Sequence, residues 1–223
     1  MPALRLRLRR TEEPEVRESF ELNGSLDDIR DRFGVVKVEA DYVPREVVEP
    51  TDPVPIIVGP RRERKLADAR WGLFPFWARD AVYADLHRLP AMPSFGGLIR
   101  RRRCIVPGTA LVTLATSGRL LSVVRLMPRD GSVFGMAGLY EEFVGAGGRH
   151  LRAFTIVTVD RRGAHGSHRT RMPLLLGGEE ADRWLDAAGN AADDMPPVHF
   201  HLPDEERWVA RTFIRRLARR ARV

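Results

Sequence analysis

Residues 154–176, FTIVTVDRRGAHGSHRTRMPLLL, set the frame into which the rest of the chain fits. Residues 154–159 form an apolar run rich in β-branched side chains, and residues 174–176 form a second, shorter one. Both read as buried strands. Between them the pattern predicts a loop carrying Arg161, Arg162, His165, His168, Arg169 and Arg171. A cationic, histidine-bearing loop held by buried strands suits binding or catalysis, because loops on a rigid scaffold carry function. The competing reading is a solvated loop, rich in arginine because the whole chain is.

The 223 residues are 43% hydrophobic and 30% charged, which fits a globular chain with a sizeable core. The net charge of +7 favours a polyanionic partner, nucleic acid first among them. Of 37 basic residues only Lys37 and Lys65 are lysine. Arginine suits bidentate phosphate contacts, although a GC-rich genome produces the same bias. The single cysteine, Cys104, excludes an internal disulfide and a cysteine-based zinc site. His165 with His168, and His199 with His201, have metal-like spacing but no neighbouring acidic ligand, so no metal or cofactor is expected. The apolar runs are short and interrupted by arginine, so no membrane span is read and a cytoplasmic, nucleoid-associated setting is expected.

Outward from the opening stretch, residues 4–9 alternate leucine and arginine, the period of a strand with one apolar and one cationic face. Ser25-Leu26-Asp27-Asp28 reads as a capping box opening a short helix that ends at Phe33-Gly34. Residues 44–60 carry five prolines and are extended, with residues 54–58 the expected strand. Residues 61–65 are a charged turn. Residues 71–80, WGLFPFWARD, supply either core aromatics or a platform on which a base stacks. Residues 98–107, LIRRRRCIVP, set Arg100, Arg101, Arg102 and Arg103 beside a buried strand. Residues 111–114 and 120–126 read as strands around a Ser117-Gly118 turn, and residues 133–140 as another whose glycines imply close packing or a bend. Residues 177–187 read as a helix with Trp184 and Leu185 inward. In the tail, Pro203 and three acids open a predicted helix with an apolar stripe of Ala210, Phe213, Ile214 and Leu217. The organisation expected is a basic extension over 1–16, a strand-rich α+β domain over 17–197 and a basic amphipathic C-terminal helix over 198–223.

Four blocks in register, WGLFPFWARD, RRCIVP, FGMAGLYEEF and RMPLLL with its Trp184-Leu185 helix, resemble the SOS-response-associated peptidase family, the abasic-site-shielding proteins. The resemblance implies barrel-like sheets with flanking helices and a basic groove for single-stranded DNA. It also implies a chemistry in which a terminal cysteine traps the abasic aldehyde in a ring with its own α-amine. Asparagine, glutamate and histidine side chains assist.

Each of those positions is altered here. The cysteine-led start falls on Arg17-Glu18-Ser19-Phe20, and the asparagine-alanine-arginine run falls on Tyr83-Ala84-Asp85. The glutamate falls on Thr113 and the histidine on Arg169, with His168 beside it. Ring formation needs a thiol and a primary amine on one residue, and Arg17 supplies neither. The chain therefore reads as a non-catalytic relative that binds single-stranded or damaged DNA. Phosphate contacts are expected from Arg79, Arg100, Arg101, Arg102, Arg103, His168, Arg169 and Arg171. Trp77 is the stacking platform and Pro50 a wedge. Two alternatives stand beside this reading. One is a lyase or crosslinking enzyme using the Pro2 amine, with His168 or Glu18 moving the proton. The other is a subunit that binds a protein partner or a second copy through the C-terminal helix.

Overall fold

The computed structural model describes residues 15–74, 81–117, 120–145, 148, 150–162, 169–186 and 208–216. Pro2, the 1–14 part of the basic extension, Trp77, Arg79, His165, His168, His199 and His201 lie outside the described residues. The chain enters as β1 (Glu15–Leu22) and α1 (Leu26–Phe33). Ser25 and Asp28 cap α1 reciprocally, and Gly34 closes it in the left-handed conformation at φ 63°. Short strands β2 (Lys37–Val38) and β3 (Arg45–Val48) precede the hairpin of β4 (Pro53–Val58) and β5 (Lys65–Trp71). Then come β6 (Tyr83–Asp85), a single 3₁₀ turn (Leu89–Ala91), α2 (Pro93–Arg101) and β7 (Arg103–Gly108). The strands β8 (Ala110–Ser117), β9 (Leu120–Pro128), β10 (Phe134–Val144), β11 (His150–Arg162), β12 (Arg169–Pro173) and β13 (Leu175–Leu176) follow. α3 (Gly178–Asp186) and β14 (Trp208–Arg216) end the described chain.

These elements form a nine-stranded and a five-stranded sheet. Within the larger one, β5, β4, β7, β10 and β11 pair in turn and β11 returns to β5, so the strands close a circuit. Closure removes free edges and leaves an apolar interior. Both faces of these strands are packed: Ile57, Ile105 and Ala137 share one face, and all three, like Ile56 and Phe154, are fully buried. The glycines of β10 serve close packing, as their sequence context implied. A Cβ on Gly138 would stand 2.8 Å from Cys104 Sγ, and one on Gly135 2.8 Å from Ile105.

The smaller sheet runs β14-β9-β8-β1-β3. Its Phe20, across from Leu111 and Val48, packs on Trp71 of the closed circuit with ring centres 5.2 Å apart. Trp208 at the other edge meets Phe134 at 5.0 Å. Two aromatic contacts thus join the sheets into one α+β core.

Three expectations are corrected. The C-terminal helix is, in its described part, a strand: β14 pairs antiparallel with β9 from Trp208↔Pro128 to Arg216↔Leu120. Val209, Thr212, Phe213 and Ile214 favour extended backbone, and an isolated helix gains too little to compete with a nine-residue ladder. Arg161, Arg162, Arg169 and Arg171 belong to paired strands of the β11–β12 hairpin and not to a loop. Residues 98–101, read as the flank of a strand, close α2, which starts on Pro93 at its first position.

Candidate functional site

The site grows from β1. Residues directly opposite in an antiparallel ladder share a face, and Glu18 stands across from Thr113 on the face that carries Phe20. On the facing sheet, β6 pairs in parallel with β11, Ile156 opposite Tyr83 and Thr158 opposite Asp85. Ala84 is fully buried, so Tyr83 and Asp85 point the other way. Trp71 meets Tyr83 edge-on at 5.5 Å and 85°, and its indole N–H donates to Val82 O at 3.0 Å. A seam of Phe20, Trp71 and Tyr83 is thereby fixed.

At the open end of this seam the Tyr83 hydroxyl donates to the Glu18 carboxylate, with the charge of Arg171 close by. Burial raises the Glu18 pKa, opposed by the Tyr83 hydrogen bond and by Arg171. Burial also pushes the Tyr83 phenol up, reinforced by the charge and acceptor of Glu18. The phenol therefore stays protonated and acts as a donor. Glu18 nevertheless keeps exposed surface, so the cluster is accessible. Asp85 accepts from the backbone N–H of His87 at 3.0 Å, which engages its carboxylate in a local turn.

The strands bearing Arg17 and Thr113 pair with each other, and those bearing Tyr83 and Arg169 both pair with β11; these are the positions onto which the resembled family's residues were expected to fall. What it assembles there is a different set: Glu18, Tyr83 and Arg171, with Thr113 across from Glu18. Sequence reading named each residue but missed their meeting, since they come from three strands far apart in the chain. The alternation of Glu18 with Phe20 on one strand face was the available signal.

The other expected contacts divide. Arg100 and Arg101 are exposed on the last turn of α2. Arg102 donates to Glu142 at 2.8 Å and lies 5.4 Å over the Tyr140 ring, while Arg152 pairs with the same carboxylate at 2.8 Å. Arg103 is corrected outright: only 5% exposed, it donates to Ile99 O and Trp184 O and stacks on Trp184 at 4.9 Å. Burial lowers its guanidinium pKa, and no phosphate reaches it. Pro50 opens the turn before β4, where Thr51 holds φ 80° and donates to Trp71 O. Cys104 is buried, with its thiol pushed well up by desolvation, so it is no surrogate nucleophile. Among the described residues no group of three or more histidine, cysteine or acidic side chains is placed to hold a metal, and no helix is long and apolar enough to cross a membrane.

Known proteins resemble this chain in sequence and in fold. The chain is 27% identical over 183 residues to the abasic site processing protein YoqW of Bacillus subtilis, covering 78% of this chain and 82% of that protein. It is 29% identical over 127 residues to the abasic site processing protein YMR114C of Saccharomyces cerevisiae, covering 52% of this chain and 34% of that one. Its fold resembles crystal structures of a protein from Bordetella bronchiseptica (TM-score 0.66, 20% identity, 88% and 99% covered) and of one from Bacteroides thetaiotaomicron (0.64, 22%, 87% and 90%). The model of the SOS response associated peptidase (SRAP) family matches residues 18–212, from Glu18 of the cluster into the tail strand β14. The chain belongs to the SRAP family.

Proposed function

We propose that this protein binds abasic sites in single-stranded DNA and holds them without the covalent ring built by the family's terminal cysteine. The observation that carries this reading is β1. The strand is continuous through Arg17, which pairs with Leu114, so the nitrogen at that position is a peptide nitrogen and the side chain a guanidinium. Neither attacks an aldehyde at neutral pH. The buried thiol of Cys104 offers no replacement. The scaffold blocks persist, the net charge is +7, and the relatives are named abasic site processing proteins. Arg100, Arg101 and Arg171 are the described side chains assigned to phosphates. Pro50 and Arg169 are assigned as further contacts, and the expected contacts Trp77, Arg79 and His168 lie outside the described residues.

The test is fluorescence anisotropy with single-stranded oligonucleotides across a salt series. Affinity should fall steeply, with a log–log slope of roughly −0.7 per phosphate contact. Affinity that stays flat with salt, or no binding at all, overturns the DNA reading. Borohydride trapping on abasic DNA checks the other half: a covalent adduct lost in Pro2→Gly establishes the proline-amine lyase in place of non-covalent holding.

A further inference from the structure

A carboxylate is an awkward group to find where a polyanion docks. It repels phosphates and can only accept hydrogen bonds. Glu18 nevertheless sits beside Arg171, and the Tyr83 hydroxyl, itself braced by Trp71, holds its carboxylate in place. One hydrogen bond from Tyr83 leaves most of the carboxylate's lone pairs open, and Glu18 remains exposed. The charged and polar groups identified around it are Tyr83 from β6, Arg171 from β12 and Thr113 from β8.

The chemistry of the nucleotide identifies what such an acceptor would read. Within an intact DNA strand the 3′ and 5′ oxygens are esterified and C2′ bears no hydroxyl, so the sugar offers no donor. Loss of the base leaves the closed sugar with a hydroxyl at C1′. That hydroxyl is the group a fixed carboxylate accepts from, while the neighbouring guanidinium takes the adjoining phosphate. Intact DNA carries a base at C1′ in its place, so its sugar presents Glu18 with no hydroxyl there.

We infer that Glu18, positioned by Tyr83 and flanked by Arg171, is the specificity-determining residue of this protein: it accepts the C1′ hydroxyl of a base-less deoxyribose and disfavours intact strands. The inference rests on the DNA reading above and sharpens it from polyanion attraction to recognition of one hydroxyl.

The experiment measures binding of four matched oligonucleotides: intact, natural abasic, tetrahydrofuran abasic analogue (which lacks the C1′ hydroxyl) and a single ribonucleotide insert. Wild type should bind the natural abasic strand about tenfold more tightly than the analogue, the worth of one hydrogen bond to a charged group. Glu18→Gln should shrink that ratio to about twofold or less while tightening binding to intact DNA, because the variant removes a negative charge. Tyr83→Phe, which frees the carboxylate from its anchor, should narrow the ratio by weakening the natural abasic strand more than the analogue. Equal wild-type affinity for natural abasic and analogue strands overturns this inference and leaves the DNA reading standing. Tighter binding of the ribonucleotide strand than of the natural abasic one overturns it too, by assigning the hydroxyl to C2′. Failure to bind any strand removes the DNA reading itself.

Discussion

Arg103 and Arg171 are chemically alike and do opposite work. Arg103 lies where α2 and α3 meet β7: its guanidinium satisfies carbonyls of Ile99 and Trp184 and stacks on the Trp184 ring. Arg171 lies where β12 passes the Glu18–Tyr83 pair, and it is exposed. In the first region a cation has been absorbed into the scaffold, as Arg64 is between the carbonyl of Phe33 and Asp182. In the second a cation faces outward next to a carboxylate. Local geometry, and not residue type, decides which arginines of a +7 chain are available to a ligand.

Substitution at the two positions should separate the roles most strongly. Arg103→Ala should cost about 3 kcal/mol of stability, since it empties a packed volume and leaves buried carbonyls unpaired. Its DNA affinity, measured on the protein still folded at low temperature, should match wild type. Arg171→Ala should leave the melting temperature almost unchanged, while the salt slope of DNA binding falls by about one phosphate contact. A binding defect in Arg103→Ala, or a large loss of stability in Arg171→Ala, would break the comparison.

A second contrast lies within the scaffold, between glycines that are required and glycines that are not. Gly138→Ala should destabilise by about 2 kcal/mol, because its Cβ would meet Cys104 Sγ at 2.8 Å and the Thr155 carbonyl oxygen at 3.2 Å. Gly97, exposed in α2 with nothing within 4 Å of the place a Cβ would occupy, should respond in the opposite sense. Gly97→Ala should stabilise by about 0.5–1 kcal/mol, as backbone entropy of the unfolded chain is reduced without a clash. Urea denaturation of the two variants checks both signs.

Features set by neighbours in sequence were readable before the fold was known. Ser25, Asp28 and Gly34 bound α1 by local hydrogen bonds and one left-handed residue, and those are written in short sequence windows. The pairing of β8 with β9 was equally plain, because two apolar runs lie close together in the chain; the Ser117-Gly118 turn expected between them reaches outside the described residues. β14 was not, since Ala210, Phe213 and Ile214 satisfy helical spacing, and only the presence of β9 alongside selects the extended form. α2 was obscured by Gly96 and Gly97 and by the arginine run at its end. The functional cluster was hidden for a stronger reason. Glu18, Tyr83 and Arg171 acquire their meaning from sheet pairing between distant strands, and no local rule brings β1, β6 and β12 to one corner.

The smallest expected effect concerns the proton on Glu18. Burial raises its folded pKa above the ordinary carboxylate value of 4.5. The folded protein therefore holds this proton at a pH where the unfolded chain has released it, and stability from this group declines as pH rises through that interval. Above the folded pKa the charged carboxylate is a constant, small burden. Glu18→Gln removes the titration and keeps an acceptor for the Tyr83 hydroxyl. Its melting temperature should exceed that of wild type slightly at neutral pH, and the difference should vanish as pH falls to the ordinary carboxylate range. DNA affinity should follow the same proton. Wild-type binding to intact strands should strengthen as pH falls through the Glu18 titration, because the group that repels phosphate becomes neutral, and Glu18→Gln should lack that component. If the variant's melting temperature instead drops below wild type at neutral pH, the Glu18 charge is holding Arg171 and Tyr83 in place for stability. The contrast between an absorbed and an available arginine would then lose its second half.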